Sequence, residues 1–177
     1  MRRHVLTGAP GTGKTTLLTE LTHLGTCVGE PARELIAEHR EATGEQSLDG
    51  RPEQFVARLV ERSVEKYRVA SQDSVYIYDR GIPDCAAYAI AFGLDPEPAL
   101  EAARRRRYDE PILVLPPWEA IYSVDDMRRM DFAMTLDFHN NLMAVYQRLG
   151  YDLVVIPEAT VADRAKIVAG VINRNTP

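Results

Sequence analysis

The apolar positions fall into five short clusters, and longer amphipathic stretches separate them. His4–Thr7 opens the series, followed by Cys27–Val28, Ser74–Tyr78, Ile112–Leu115 and Leu153–Ile156. Each has the length and apolar content of a buried strand. The intervening segments repeat at helical spacing. Leu35, Ile36 and His39 share a face of Ala32–Glu41, and Phe55, Leu59, Val60, Val64 and Tyr67 share one on Pro52–Ala70. Further helices are predicted over Thr16–His23, Asp84–Phe92, Glu97–Arg107, Asp125–Leu149 and Val161–Ile172, the fourth of these stopped by Gly150. Thr43–Arg51 is polar and glycine-bearing and reads as a loop. Strands alternating with helices predict an α/β fold with a mostly parallel sheet, whose ligands bind at the carboxyl ends of the strands.

The first strand runs directly into Gly8-Ala9-Pro10-Gly11-Thr12-Gly13-Lys14-Thr15, with Thr16 opening the next helix. Glycines here let successive backbone N–H groups curl around phosphates without Cβ clashes, and the helix N-terminus adds partial positive charge. Lys14 then reaches the β- and γ-phosphates and the Thr15 hydroxyl can ligate Mg²⁺. The strand–loop–helix context makes a chance match a poor account. Neither an Asn/Thr-Lys-x-Asp string nor an Asp-Glu pair at a strand end occurs as a guanine switch or a large ring ATPase would require. Small kinases remain.

Two further strand ends carry chemistry. Asp79-Arg80-Gly81 puts a carboxylate and a guanidinium beside the loop, for Mg²⁺ and for phosphate respectively, although a structural ion pair is the plain alternative. Asp84 reads equally well as a substrate contact and as a helix cap. Glu30, before Pro31-Ala32-Arg33, can take a proton from an acceptor hydroxyl with Arg33 orienting it, or can simply favour a helix dipole. As the charge clamp on a lid, Arg128 and Arg129 are preferred over Arg104–Arg107, because four consecutive arginines face all round a helix. Trp118 fits a base-stacking role and a core-covering role equally. The four histidines have no ligand spacing, and Cys27 and Cys85 read as small apolar residues.

Composition narrows the partners. The chain has 177 residues, 45% of them apolar, with 21 basic and 26 acidic side chains and a net charge of -5. That length predicts a single domain over 1–177, and the acidic balance makes nucleic acid an unexpected partner. No apolar run approaches the roughly 20 residues of a membrane span, and two distant cysteines fit a reducing, cytoplasmic setting. Oligomeric state is not set by any of these features.

Taken together, Gly8–Thr15, Glu30–Arg33, Tyr78–Gly81 with Asp84, Leu115–Trp118, Asp125–Arg129 and Gly150–Pro157 resemble a family of short predicted ATPases in the P-loop kinase superfamily. That group is similar to the ribosylnicotinamide-kinase domain of bacterial NAD regulators. The Glu-Pro and Asp-Arg elements also look like those of deoxynucleoside and thymidylate kinases. The resemblance implies a three-layer P-loop NTPase fold, sheet order 2-3-1-4-5, with a lid at about 116–130. It implies Glu30 as base, Arg33 as acceptor contact, Asp79 for Mg²⁺, Arg80 for phosphates, and Arg128 or Arg129 in the lid. Pro157–Val161 would lie against adenine. The expected activity is ATP- and Mg²⁺-dependent transfer of a γ-phosphoryl group to a small hydroxyl-bearing metabolite, a nucleoside or its relative being one candidate. The alternative is a nucleotide-binding ATPase that switches a macromolecular or lipid partner.

Overall fold

In the computed structural model the described residues are 2–44, 51–69, 74–122 and 131–174. Five strands form one sheet: β1 (Arg2–Gly8), β2 (Thr26–Val28), β3 (Val75–Asp79), β4 (Ile112–Leu115) and β5 (Leu153–Val155). Their order is β2-β3-β1-β4-β5, and every neighbouring pair is parallel. This is the α/β P-loop kinase-like arrangement that the resemblance implies. Leu6 stands in register with Asp79 on one side and Leu113 on the other.

Because strand side chains alternate, each central strand feeds two cores. Val5, Tyr78 and Val114 point to one face, which is covered by α2 (Pro31–Thr43), α3 (Pro52–Val69), α4 (Ile82–Ala91), α5 (Glu97–Arg104) and α6 (Phe132–Arg148). Leu6, Ile77 and Leu113 point to the other, covered by α1 (Lys14–Glu20) and α7 (Val161–Arg174). Parallel pairing also sends all five carboxyl ends to one edge of the sheet. Gly8, Val28, Asp79, Leu115 and Val155 therefore open onto the same crevice.

Element boundaries depart from the sequence reading in instructive places. Strand β1 starts two residues earlier than expected, as Arg2 and Arg3 pair with Val75 and Tyr76. Helix α1 begins inside the loop motif, at Lys14, with Gly13 as its cap at φ 81°. Helix α5 stops at Arg104 rather than Arg107. Arg107 instead lies over the Tyr151 ring at 3.6 Å and pairs with Glu110, while Arg104 and Arg105 pair with Glu97 and Glu101. Three of the four arginines are thus spent on surface pairs and Arg106 donates to the Ala102 carbonyl, as expected for a cluster facing all round its helix. Helix α6 has Asp131 as its cap, its side chain accepting from the Met134 N–H at 2.8 Å. The expected start at Asp125 falls outside the described residues.

Among the described residues no helix is long and apolar enough to cross a membrane.

His4 sits fully buried in β1, and neither ring nitrogen has a hydrogen-bond partner. Burial pushes its pKa below 6.5; Asp109 opposes that shift and Arg2 adds to it. The unfolded chain then binds more protons than the native one between the lowered value and about 6.5, so stability is full above that window and falls as pH drops through it. His4→Leu is expected to flatten this loss, which cannot exceed about 1.4 kcal/mol per pH unit for one proton. Urea midpoints at pH 7.5 and 5.5 check it. Half-buried His139, lowered by burial alone, leaves a residual slope of the same sign.

Candidate functional site

The phosphate loop takes its shape from the glycines. Gly8 has φ 146° and packs so closely on β4 that a Cβ there would fall on the Leu115 carbonyl oxygen. No other residue fits at the end of β1. The loop then turns over Thr12, whose hydroxyl donates to the Ala9 carbonyl at 3.0 Å. Lys14 is buried, and its Nζ donates to the carbonyls of Gly8 (2.9 Å) and Ala9 (2.8 Å). The ammonium is thereby held across the mouth of the loop, where a phosphate oxygen can take over those bonds. Tyr122, at the end of the segment after β4, lies against Gly11: a Cβ on Gly11 would be 2.8 Å from the Tyr122 ring.

Beside the loop lies a buried ionic cluster centred on Arg80. Its Nε donates to Glu30 Oε1 at 2.7 Å and its Nη1 to Asp84 Oδ1 at 3.1 Å, with all three side chains at most 3% exposed. Arg80 has φ 70°, a left-handed conformation that costs a non-glycine residue about 1–2 kcal/mol. The two carboxylates and the flanking rings of Tyr88 (5.8 Å) and Phe138 (5.7 Å) hold it there. Burial works against the guanidinium charge, and Tyr88, Glu30, Asp84 and Asp79 outweigh it, so the pKa is raised. Glu30 caps α2 ahead of Pro31, and its second oxygen accepts from the half-exposed Arg33 at 3.2 Å.

Asp84 is fully engaged. Its Oδ1 also accepts from the Thr7 hydroxyl at 2.6 Å, and its Oδ2 from the Gly81 N–H (2.9 Å) and the Tyr146 hydroxyl (2.6 Å). With four protein donors it serves as the α4 cap and as the support of Arg80, and it does not line the open cavity. Of its two readings, the helix cap is the one its bonds describe.

That cavity, about 490 Å³, runs along the crevice. It is lined by the loop from Gly11 to Thr16, by Glu30 and Arg33, and by Trp118, Ala159, Thr160, Val161 and Arg164. The structure thus brings Lys14, Thr15, Glu30 and Arg33 into one space. Asp79 and Arg80 are buried at the adjacent strand end. Pro157 is exposed and outside the lining, which takes up the segment only from Ala159. Arg128 and Arg129 lie outside the described residues. For a divalent cation the fit rests on donor chemistry: the Thr15 hydroxyl and the Asp79 carboxylate are hard oxygen ligands of the kind Mg²⁺ takes.

Two cavity residues were open or unseen in the sequence. Trp118 lines the space. Arg164 was missed altogether, although it carried a signal: a cation in the first turn of α7, where a helix dipole disfavours positive charge.

The chain belongs to the family whose model is described as an AAA domain, matched over residues 3–164. No curated protein matches it by sequence. Among solved structures, it is similar to a NadR protein in complex with NR, at 20% identity and a TM-score of 0.72, covering 99% of this chain and 50% of that one. Thymidylate kinase from Ehrlichia chaffeensis aligns over 97% of this chain and all of its own, at 15% identity and TM-score 0.65. Deoxyadenosine kinase from M. mycoides aligns over 97% and 98%, at 11% identity and TM-score 0.68. The chain thus spans half the length of the NadR structure and nearly the whole of the two kinases. At these identities the likeness is one of fold: the α/β P-loop kinase-like arrangement.

Tyr146→Phe deletes one buried hydrogen bond to a carboxylate and leaves the ring packing on Tyr151 in place. The expected cost is about 1.5–3 kcal/mol of stability, read as a lowered urea midpoint.

Proposed function

We propose that this member of the AAA domain family is an ATP- and Mg²⁺-dependent phosphotransferase acting on a hydroxyl of a small metabolite, nucleoside-like compounds being the first class to try. One observation carries the reading: Glu30, a carboxylate at the end of β2, lines the same cavity as Lys14 and the phosphate loop. In that place it can take the proton of an acceptor hydroxyl, and dependence of turnover on the acceptor tells this from activation of water. The working unit is the single domain 1–177, with 116–130 as its lid.

Residue roles follow from charge and position. The N–H groups from Gly11 to Thr16 and the Lys14 ammonium receive the donor phosphates. Thr15 and Asp79 would hold Mg²⁺, which when bound offsets charge on the phosphate oxygens. Glu30 accepts the acceptor hydroxyl proton. Its Oε2 is suited to this because the Arg33 bound to it is half-exposed at the cavity, whereas buried Arg80 fixes Oε1. The acceptor oxygen then forms a bond to the γ-phosphorus as the bridging bond to ADP breaks, in line. Arg80 places its positive charge beside the transferred group. Arg128 or Arg129 clamps it from the lid. Asp84 acts through Arg80, and Pro157 shapes the base end of the cleft with the residues that follow it.

A second reading, a nucleotide-dependent switch, has the Tyr122–Gly11 contact in its favour, because a nucleotide at the loop is felt at once in the segment after β4. ADP release from Mg-ATP, with and without pooled nucleosides, sugars and amino alcohols, separates the two. The kinase reading expects one pool to raise turnover well above the water background. Tight ATP binding with no pool effective would favour the switch. Lys14→Ala is expected to abolish turnover on either reading. Glu30→Gln is expected to keep ATP affinity and lose acceptor-stimulated turnover by at least about tenfold; unchanged stimulated turnover would remove Glu30 from the base role.

A further inference from the structure

Arg164 is a buried cation with no ion-pair partner among the described residues; Glu158 acts on it as a charge beyond pairing distance, and burial outweighs it. It is 3% exposed. Among the described residues no carboxylate lies within salt-bridge distance of it, and its Nε has no hydrogen-bond partner. Its one side-chain hydrogen bond among the described residues runs from Nη2 to the Thr12 carbonyl of the phosphate loop, at 3.0 Å. A Cβ on Gly13 would come within 3.3 Å of its Nη1, and the Trp118 ring lies 5.7 Å from its guanidinium carbon. Burying a guanidinium is costly unless an anion meets it. The position makes this worse, since the first turns of α7 and of α1 both present positive dipole ends nearby. The cavity it borders already holds Lys14 and Arg33, and its one acid, Glu30, is taken by Arg33 and Arg80. Such a charge is compensated when a polyanion fills the loop.

We propose that Arg164 is the donor-side positioning residue: its guanidinium fixes the Thr12–Gly13 turn from behind and supplies a permanent charge that ranks nucleotides by the number of phosphates they carry. The ligand class is a nucleoside polyphosphate, and the inference rests on the nucleotide-binding reading of the loop. In the empty protein the charge is a liability. Each added phosphate repays more of it, so triphosphate gains over monophosphate by more than loop contacts alone provide. The device needs the charge at that place; a neutral donor to the Thr12 carbonyl would keep the turn and lose the ranking.

Trp118 is the chain's single tryptophan and lines the same cavity, so its emission reports occupancy. Titration calorimetry with ATP, ADP, AMP and adenosine, with Trp118 emission followed in parallel, compares wild type with Arg164→Gln and Arg164→Lys. Gln retains a donor without charge; Lys retains charge without the fork. For Gln we expect ATP affinity to fall by about tenfold or more, AMP by less, and adenosine not at all. Lys is expected to stay within about threefold of wild type for ATP. A Gln variant equal to wild type for ATP overturns the proposal. So does a Gln loss of the same size for ATP and adenosine, or a Lys variant as weak as Gln, since these mark a merely structural residue. If Gln unfolds, Lys decides alone by the same threefold limit. Wild type that binds none of the four overturns the nucleotide reading itself, which is distinguishable from the failures above.

Discussion

The grip of Arg80 on two buried carboxylates is the constraint from which the rest of the site follows. Arg80 sits at φ 70°, which an L-residue adopts only when its surroundings compel it. Glu30 comes from the end of β2 and Asp84 from the first turn of α4, so one guanidinium ties together three consecutive parts of the strand edge. Asp84 then extends the tie to β1 through Thr7 and to α6 through Tyr146. A buried pair of this kind contributes little net stability, since desolvation offsets its attraction. What it provides is placement. The carboxylate of Glu30 is held on one side by a buried arginine and met on the other by a half-exposed one.

The phosphate loop is organised on a different principle. Its shape depends on what cannot be there: a Cβ on Gly8 has no room against Leu115. Its cations are held by carbonyl oxygens, Lys14 by Gly8 and Ala9 and Arg164 by Thr12. Carbonyl dipoles orient a cation without neutralising it. The carbonyls place two cations at the loop, while the Arg80 cluster at the neighbouring strand end pairs its guanidinium with two carboxylates. The two halves of the crevice differ in charge balance, and a phosphoryl donor and a neutral hydroxyl acceptor call for such a difference.

Much of this was legible along the chain. The loop motif specifies its own conformation because each position answers a local steric or electrostatic need. Five apolar clusters between amphipathic stretches gave the α/β class, and the strand-end location of Glu30 and Asp79-Arg80 marked them as neighbours of the loop. Asp84 was ambiguous because a helix-start aspartate looks the same whether it caps, binds substrate or supports an arginine; only its four donors decide. Arg164 escaped because it lies 152 residues from the carbonyl it holds, and no spacing rule reaches across a sheet.

The sequence by itself determined the local chemistry: the strand–loop–helix that receives phosphate, the alternation that builds a two-sided sheet, and the carboxylates and arginines available at strand ends. These depend on residues a few positions apart, where backbone sterics and periodicity act directly. The sheet order followed only from the likeness to known kinases. Which charges pair, which stay buried without a counter-ion, and which side chains enclose one cavity were decided by the tertiary structure alone. Parallel pairing brings five distant strand ends to one edge, and electrostatic energy depends on distances in space, which the order of residues does not contain.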